Sequence, residues 1–204
     1  VDLPAEARGT LAPSVNWGTT QLATTGYGYG YSTTLIQLAS VVATIVNDGV
    51  RLKPRVVREV RNDNDEVVKR FDASEGIRVI SPEAARMVRE TMEAVIMDKD
   101  GTAAKAKPNG YSAAGKTGTA RANTAGQGYS TERWFCSFVG YAPAEAPRVV
   151  VAITVIDPKV NKFGGTVAAP VFKNVIERIL PVLGVLPEVD VKALRDPTGK
   201  VADR

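Results

Sequence analysis

The amino-acid sequence predicts an α/β protein of the α+β type, in which helices pack against an antiparallel sheet. Two observations support this class. Two segments rich in β-branched and aromatic residues follow a glycine- and threonine-containing segment along the chain, which is typical of successive antiparallel strands. Apolar residues at helical spacing occur before and after these segments. The 204 residues, 44% of them hydrophobic and 24% charged, fit one globular domain or a large piece of one.

Three helices are predicted from apolar stripes and from the signals at their ends. The first is capped by Thr33 or Thr34 and ends at Asn47-Asp48-Gly49, where glycine suits the left-handed residue that closes a helix. The second begins at Ser81-Pro82-Glu83, which combines a capping hydroxyl, a first-turn proline and an acid near the positive end of the helix dipole. The third begins near residues 166–169. Each stripe is expected to lie in the core.

The predicted sheet consists of three successive strands, Tyr111–Ala120, Trp134–Tyr141 and Arg148–Ile156. Residues 121–131, between the first two strands, have the composition of a flexible loop. A separate hairpin is predicted from the valine-rich segments 56–60 and 67–71, because an Asn-Asp turn joins them.

The first 26 residues show little periodicity and predict an extended, loop-rich segment. The stretch Gly26–Tyr31 then alternates glycine with tyrosine. This pattern indicates either a close approach of the backbone to a pocket or a glycine-rich turn with tyrosines packed beneath it. The sequence leaves both interpretations open.

Charge and residue content argue against several classes of function. The net charge of +4 is mild, and acids follow at once after the densest basic group, so a nucleic-acid surface is not indicated. Histidine is absent, which removes Ser-His-Asp and Cys-His catalysis and argues against a zinc site. The single cysteine, Cys136, allows no intrachain disulfide and is predicted to be buried. No apolar run is long enough to span a membrane, and the start of the chain looks cut from a longer protein.

The stretch Tyr111–Ala120 carries the residues best suited to chemistry. Lys116 supplies a positive charge, Thr117 and Thr119 supply hydroxyls, and Gly118 lacks a Cβ that would keep a ligand away. As a strand at the edge of a sheet, this segment could bind an extended anionic peptide alongside it. A surface strand with one exposed lysine fits the ten residues equally well.

The four residues 116–119 resemble the third signature of the penicillin-binding proteins and serine β-lactamases. Further stretches lie in the order expected for the C-terminal half of a class B penicillin-binding protein transpeptidase domain, most like the division-specific type (penicillin-binding protein 3). They are Gly26-Tyr27-Gly28, Thr34–Ala39, Asn47-Asp48-Gly49, Phe138–Pro143, Phe163-Gly164-Gly165 and Ala169–Phe172. The resemblance implies an incomplete penicillin-binding protein/serine β-lactamase-like transpeptidase fold over residues 1–182, followed by a poorly packed tail at 183–204.

The resemblance implies a peptidoglycan D,D-transpeptidase that works through a serine acyl-enzyme. In that family a serine attacks the D-Ala-D-Ala bond of a stem peptide, D-Ala leaves, and an amine of a neighbouring stem takes the acyl group; β-lactams trap the serine. By position in the signature, Lys116 would supply electropositive potential and join the proton network, and the Thr119 N–H would be an oxyanion donor. Thr117 and Thr119 would bind the carboxylate of substrate or drug, and Gly118 would allow close approach.

The resemblance also implies an aromatic wall that includes Tyr129 and Phe163, and a reaction that needs neither metal nor cofactor. The expected partners are the peptidoglycan stem peptide, β-lactam antibiotics, the N-terminal part of the same domain and cell-division membrane proteins, but no nucleic acid. The parent protein would be anchored in the inner membrane with this domain on the periplasmic face. The anchor is not in this chain.

The sequence departs from the family pattern in its first two signatures. No serine is followed by lysine three residues later, so the Ser-x-x-Lys nucleophile and its base are expected to precede Val1. Ser14-Val15-Asn16 matches the second signature, Ser-x-Asn, but it follows Leu3–Gly9, whereas the family signature precedes that segment. We interpret this match as coincidental. The chain alone is therefore expected to be catalytically inactive.

Other functions fit parts of the sequence. The chain could belong to a serine β-lactamase-like hydrolase, or it could be a non-catalytic module that binds a division partner on the same scaffold. A fragment that rebuilds the site with a separately supplied N-terminal piece is a further alternative. Ser-x-x-Lys upstream would support the enzyme, and its absence would support the module.

Overall fold

A computed structural model of the chain describes residues 4–124 and 128–188. Its α-helices are α1 (Thr19–Gly26), α2 (Leu35–Val46), α3 (Pro82–Met97), α4 (Gly164–Val167) and α5 (Ala169–Val182). Its strands are β1 (Thr10–Leu11), β2 (Tyr31–Ser32), β3 (Val50–Arg51), β4 (Glu59–Arg61), β5 (Val67–Arg70), β6 (Ile77–Arg78), β7 (Ala114–Thr124), β8 (Gly128–Ala142) and β9 (Val149–Ile156). Short 3₁₀ turns lie at Ser14–Asn16 and Ala104–Ala106.

The central sheet is antiparallel and has the order β7-β8-β9, as the sequence predicts. The ladder between β7 and β8 pairs Ala114 with Tyr141 and continues to Thr124 and Gly128. The ladder between β8 and β9 runs from Phe135 opposite Ile156 to the far end of both strands. Strand β7 therefore has β8 on one side, and no described strand pairs with its other edge.

Helices pack on both faces of this sheet. On one face, side chains of α2 and α3 contact the sheet in a cluster made of Val42, Met92, Ala114, Val139 and Tyr141. On the other face, α5 buries Phe172, Ile176 and Leu180 against Phe138 and Ala142. The aromatic rings of Phe138 and Phe172 have centroids 4.8 Å apart and are both fully buried. Because side chains alternate along a strand, neighbouring residues of β8 serve opposite faces of the sheet.

The predicted helix starts are confirmed by their hydrogen bonds. Thr34 Oγ1 accepts from the Gln37 N–H at 3.2 Å, and the Gln37 side chain accepts from the Thr34 N–H at 2.9 Å, which completes a capping box. Ser81 Oγ accepts from the Ala84 N–H at 3.1 Å. The end of α2 is also as expected, because Gly49 has a φ of +83°.

Two parts of the chain differ from the sequence prediction. Helix α1 forms inside the segment predicted as loop. None of its residues is buried, so the sequence carries no apolar stripe from which the helix could be predicted. The predicted loop at 121–131 is largely strand, since β7 continues to Thr124 and β8 starts at Gly128. Strand pairing explains this extension, because each ladder bond satisfies backbone groups whatever the propensity of the side chains.

The first residues after α5 contact the body of the domain. Val185 packs beside the core, and its carbonyl oxygen accepts from the Tyr111 hydroxyl at 3.2 Å. The Glu188 N–H donates to the Gly110 carbonyl at 2.7 Å. The segment predicted as a poorly packed tail from residue 183 thus begins with contacts to the core, and residues 189–204 lie outside the described chain. No helix among residues 4–124 and 128–188 has the length and apolarity needed to cross a membrane.

Replacing Phe172 with alanine tests the core between α5 and the sheet. The ring is fully buried against Phe138, so Phe172→Ala should lower the free energy of unfolding by about 3–5 kcal/mol. Chemical denaturation measures this change. The matched control is Val171→Ala, which removes an apolar side chain that is 42% exposed on the same helix and should cost about 0.5 kcal/mol. Equal losses in the two variants would contradict the described core.

Candidate active site

Lys116 lies on β7, an edge strand of the described sheet, and reaches solvent. It is paired with Val139 of β8 and lies two residues after Ala114, so its side chain shares the face of the sheet on which α2 and α3 pack. Its Nζ donates to the carbonyl oxygen of Thr117 at 2.8 Å, and its side chain is exposed. The ammonium is therefore held beside the backbone of its own strand as an accessible point charge.

Thr117 and Thr119 project from the opposite face of β7, toward the first residue of α4. Thr119 Oγ1 accepts from the Gly164 N–H at 3.1 Å. Thr117 Oγ1 lies 3.4 Å from the hydroxyl of Thr102, in an exposed contact where either can donate. A threonine hydroxyl that accepts one hydrogen bond still carries its own proton. Thr119 can therefore donate to an anion while its protein contact persists, and Thr117 can do so when Thr102 is the donor of their shared contact.

Gly164 lets the backbone at the start of α4 lie directly on the strands, and Gly118 leaves room for the Ser137 side chain across the ladder. A Cβ at Gly164 would overlap the carbonyl oxygens of Ser137 and Gly118, and a Cβ at Gly118 would overlap the Ser137 hydroxyl. Neither position therefore tolerates a larger residue without movement of its neighbours. The Phe163-Gly164-Gly165 stretch predicts a turn at this place in the chain. The contact of Gly164 with Thr119 could not be predicted from that stretch.

Tyr129 lies in an aromatic pocket further along the hairpin. Its ring meets that of Tyr29 edge-on with centroids 5.2 Å apart, and Tyr29 meets Tyr27 at 5.8 Å. The cavity has a volume of about 480 Å³ and is lined by Thr20, Gln21, Thr24, Tyr27, Tyr29, Gly30 and Tyr129. Gly28 and Gly30 have φ angles of +101° and +83°. The turn itself forms one side of a pocket, as the first interpretation of the glycine-tyrosine stretch predicts, whereas Tyr27 and Tyr31 are 69% and 43% exposed and are not packed beneath it.

Tyr129 and Phe163 are not stacked on one another among the described residues. Tyr129 pairs with Asn123, four residues beyond Thr119 along β7, which is about 13 Å at the usual rise of a strand. Phe163 precedes α4 and is 66% exposed, and its N–H donates to Asn161 Oδ1 at 3.0 Å. The structure thus brings Phe163 next to the threonines through Gly164, and it places Tyr129 at the distal end of the hairpin.

Other candidate groups do not join this site. Ser14 and Asn16, which match a family signature by sequence, lie in an exposed 3₁₀ turn that precedes α1. Cys136 is paired with Thr119 but is fully buried, its thiol donates to the Lys162 carbonyl at 3.0 Å, and burial raises its pKa. The prediction of a buried Cys136 is confirmed, and its thiol is poorly placed to act as a nucleophile. Within the described chain, no three His, Cys, Asp or Glu residues are grouped as metal ligands would be.

A helix-covered antiparallel sheet with Lys-Thr-Gly-Thr on its edge strand defines the class of penicillin-recognising proteins. Residues 1–177 match the family model described as "Penicillin binding protein transpeptidase domain". The chain belongs to this family, and its relatives place it among the class B penicillin-binding proteins.

Relatives and solved structures agree with this assignment. The chain is 38% identical to Stage V sporulation protein D of Bacillus subtilis, over 92% of this chain and 29% of that protein. It is 36% identical to the probable peptidoglycan D,D-transpeptidase PenA of Neisseria flavescens, over 90% of this chain and 43% of that protein. The crystal structure of penicillin-binding protein 3 from Mycobacterium tuberculosis in complex with ampicillin aligns with a TM-score of 0.83 at 31% identity, covering 100% of this chain and 46% of that one.

The contact between the α4 turn and β7 can be tested at Gly164. In Gly164→Ala the new Cβ overlaps two backbone oxygens, so the turn must move away and its hydrogen bond to Thr119 must lengthen. Overpacking of this kind should lower the free energy of unfolding by about 1–3 kcal/mol, as measured by chemical denaturation. Gly26→Ala is the control, because a Cβ there meets nothing within 4 Å at the end of α1. A Gly164 variant as stable as this control would show that the turn does not press on the strands.

Proposed function

We propose that this chain is the C-terminal part of the transpeptidase domain of a peptidoglycan D,D-transpeptidase. The observation that supports this most strongly is the edge strand β7, whose second edge pairs with no described strand and which presents Lys116 and two threonine hydroxyls along one stretch. A relative of this chain bears the name peptidoglycan D,D-transpeptidase, and a structural neighbour was solved with ampicillin. In the proposed reaction a serine hydroxyl attacks the D-Ala-D-Ala carbonyl, D-Ala leaves, and an amine accepts the acyl group.

The residues of β7 have separate roles in this proposal. Thr117 and Thr119 donate to the terminal carboxylate of the stem peptide, or to the equivalent carboxylate of a β-lactam. Lys116 strengthens this attraction with its charge and belongs to the proton network around the nucleophile. The Thr119 N–H stabilises the oxyanion, and a donor of this kind is worth about 2.7–4 kcal/mol in the transition state. Gly118 keeps the edge clear of side-chain bulk.

The aromatic residues extend the same site in this proposal. Phe163 is exposed next to the turn that contacts Thr119, where a ring can cover apolar parts of a bound ligand. Tyr129 adds the tyrosine pocket with Tyr27 and Tyr29 at the distal end of the hairpin. These surfaces would hold the parts of the ligand that lie beyond the reacting bond.

The nucleophile is proposed to come from the N-terminal part of the same domain. The sequence contains no Ser-x-x-Lys, and the chain spans 29% and 43% of the two relatives named above. The sheet face that carries Lys116 also leaves Phe135 and Ile156 exposed side by side, and α2 leaves Val41 58% exposed. Exposed apolar surface of this kind is typical of a site where another protein segment packs. A preceding segment that lies on this face would bring its serine toward Lys116.

The cellular setting completes the proposal. The whole protein would be anchored in the inner membrane by a segment outside this chain, with the transpeptidase domain on the periplasmic face. Its partners would be membrane proteins of cell division. The similarity to penicillin-binding protein 3 structures supports the division type.

Labelling with a fluorescent penicillin tests the origin of the nucleophile. The full-length protein should form a covalent adduct, and the isolated 204-residue chain should form none, because its sequence lacks Ser-x-x-Lys. Gel fluorescence and intact mass measure the adduct. Labelling of the isolated chain would contradict the proposal. An unlabelled full-length protein would support a non-catalytic binding module, and rapid turnover of the penicillin would support a β-lactamase.

The role of the threonines is tested in the full-length protein with Thr119→Val, which keeps the shape but removes the hydroxyl. A hydrogen bond to a carboxylate is worth about 1.5–3 kcal/mol, so the second-order rate constant of acylation should fall about ten- to hundredfold. Stopped-flow fluorescence with the same penicillin measures this constant. Thr131→Val on the exposed part of β8 is the matched control and should react like the wild type. A wild-type rate in Thr119→Val would show that its hydroxyl does not bind the carboxylate.

A further inference from the structure

Two positive charges share one aromatic ring immediately beyond the threonines. The guanidinium of Arg121 lies 5.1 Å from the centre of the Trp134 ring, and Lys162 Nζ lies 5.5 Å from it. Arg121 and Trp134 are direct partners across the β7–β8 ladder. The tryptophan therefore forms a platform that holds both cations at the end of the candidate site.

Backbone contacts fix this platform relative to Thr119. Arg121 follows Thr119 by two residues on β7, so the two side chains share a face about 7 Å apart along the strand. Lys162 is held from the other side, because its carbonyl oxygen accepts from the thiol of Cys136, the ladder partner of Thr119. Two residues later, the Gly164 N–H donates to Thr119 itself. The backbone contacts therefore position Arg121 and Lys162 relative to Thr119, the residue proposed to bind the terminal carboxylate.

The two cations have no acidic partner within the described chain, unlike their neighbour Arg133. Arg133 Nε lies 3.0 Å from Asp157 Oδ2. The hydrogen bond from this guanidinium lowers the pKa of Asp157 below its usual range, and the hydrogen bond from the Trp134 N–H lowers it further. The nearby acid is therefore already bonded. Among described residues, Arg121 and Lys162 are engaged with the Trp134 ring and form no ion pair. No carboxylate of the described chain neutralises these two charges, so an anion beside the platform would be attracted to it.

The direction of the bound peptide determines which of its residues reaches the platform. A peptide that adds antiparallel to β7, with its terminal carboxylate at Thr117 and Thr119, runs backward past Ala120 and Arg121. Residues two apart on a strand share a face. The side chain two residues before the C-terminal residue then lies opposite Arg121.

We propose that Arg121 and Lys162 are specificity-determining residues that select donor peptides with a carboxylate side chain two residues before the C-terminal residue. This inference rests on the proposed function, because it assumes that the terminal carboxylate is bound at Thr117 and Thr119. It adds a second anionic contact, through which the enzyme distinguishes peptides that share the same reacting end.

The experiment uses the full-length protein and two peptides, acetyl-Gly-Glu-D-Ala-D-Ala and acetyl-Gly-Gln-D-Ala-D-Ala, which differ in one carboxylate. Each peptide competes with a fluorescent penicillin, and the measured quantity is the ratio of the concentrations that halve the labelling rate. The wild type should favour the glutamate peptide about tenfold. The preference should shrink as ionic strength rises, because the contact lies at the surface.

Variants separate charge recognition from structural damage. Arg121→Gln and Lys162→Gln should each lower the ratio, and the double variant should bring it close to one. Arg121→Lys should keep part of the preference. Arg148→Gln is the matched control, because it removes an exposed arginine next to the first residue of β9, at the opposite end of the sheet, and should keep the wild-type ratio. A merely structural role would weaken both peptides alike and leave the ratio unchanged.

The outcomes also separate this inference from the proposed function. If penicillin labels the protein but the ratio is near one, or neither peptide protects, then the selection is overturned while the penicillin-binding site stands. A ratio that survives in the double variant overturns the assignment to these two residues. If penicillin does not label the full-length protein at all, both the inference and the proposed function are wrong.

Discussion

The pairing of β7 with β8 is the interaction on which the site depends. Strand β7 has no described strand on its other side, so this ladder sets the face of the sheet to which Lys116, Thr117 and Thr119 each point. The ladder is in turn held by the core, because residues of β8 alternate between the cluster under α2 and α3 and the cluster under α5. A slip of one residue would exchange the two faces and expose buried side chains such as Phe138. The hydrophobic pattern of β8 therefore sets the register of the polar residues on β7.

The sequence predicted the elements whose signals are local. The capping box at Thr34, the Ser81 start and the three strands of the sheet were all readable, because each depends on residues that are neighbours in the chain. Helix α1 was missed because it has no buried face. The extension of β7 beyond Ala120 was missed because pairing with β8, and not the propensity of its residues, keeps it extended.

The same distinction applies to the candidate site. The Lys116–Thr119 signature is contiguous, so its residues could be named from the sequence alone. The groups that orient the two threonines come from far along the chain: Thr102 stands beside Thr117, and Gly164 donates to Thr119 across 45 positions. Nothing in the spacing of these residues indicates that they meet. The resemblance grouped Tyr129 with Phe163, and the fold adds an edge-on contact between the rings of Tyr129 and Tyr29 that no local pattern in the sequence indicates.

The hydrogen bond from Gly164 leaves a threonine hydroxyl proton on the edge strand available to donate, without any buried charge. Each hydroxyl has one proton, and a hydroxyl without a fixed partner could rotate to donate to a neighbouring carbonyl instead. The Gly164 N–H occupies an acceptor position of Thr119, which limits that rotation and leaves the proton available to a ligand. The glycine is needed because its N–H can approach only where no Cβ keeps the turn away from Ser137 and Gly118. Lys116 and the two cations on Trp134 make the electrostatic potential more positive on either side of these donors. The backbone thus orients the hydroxyl donors, and the exposed charges would attract an anion to them.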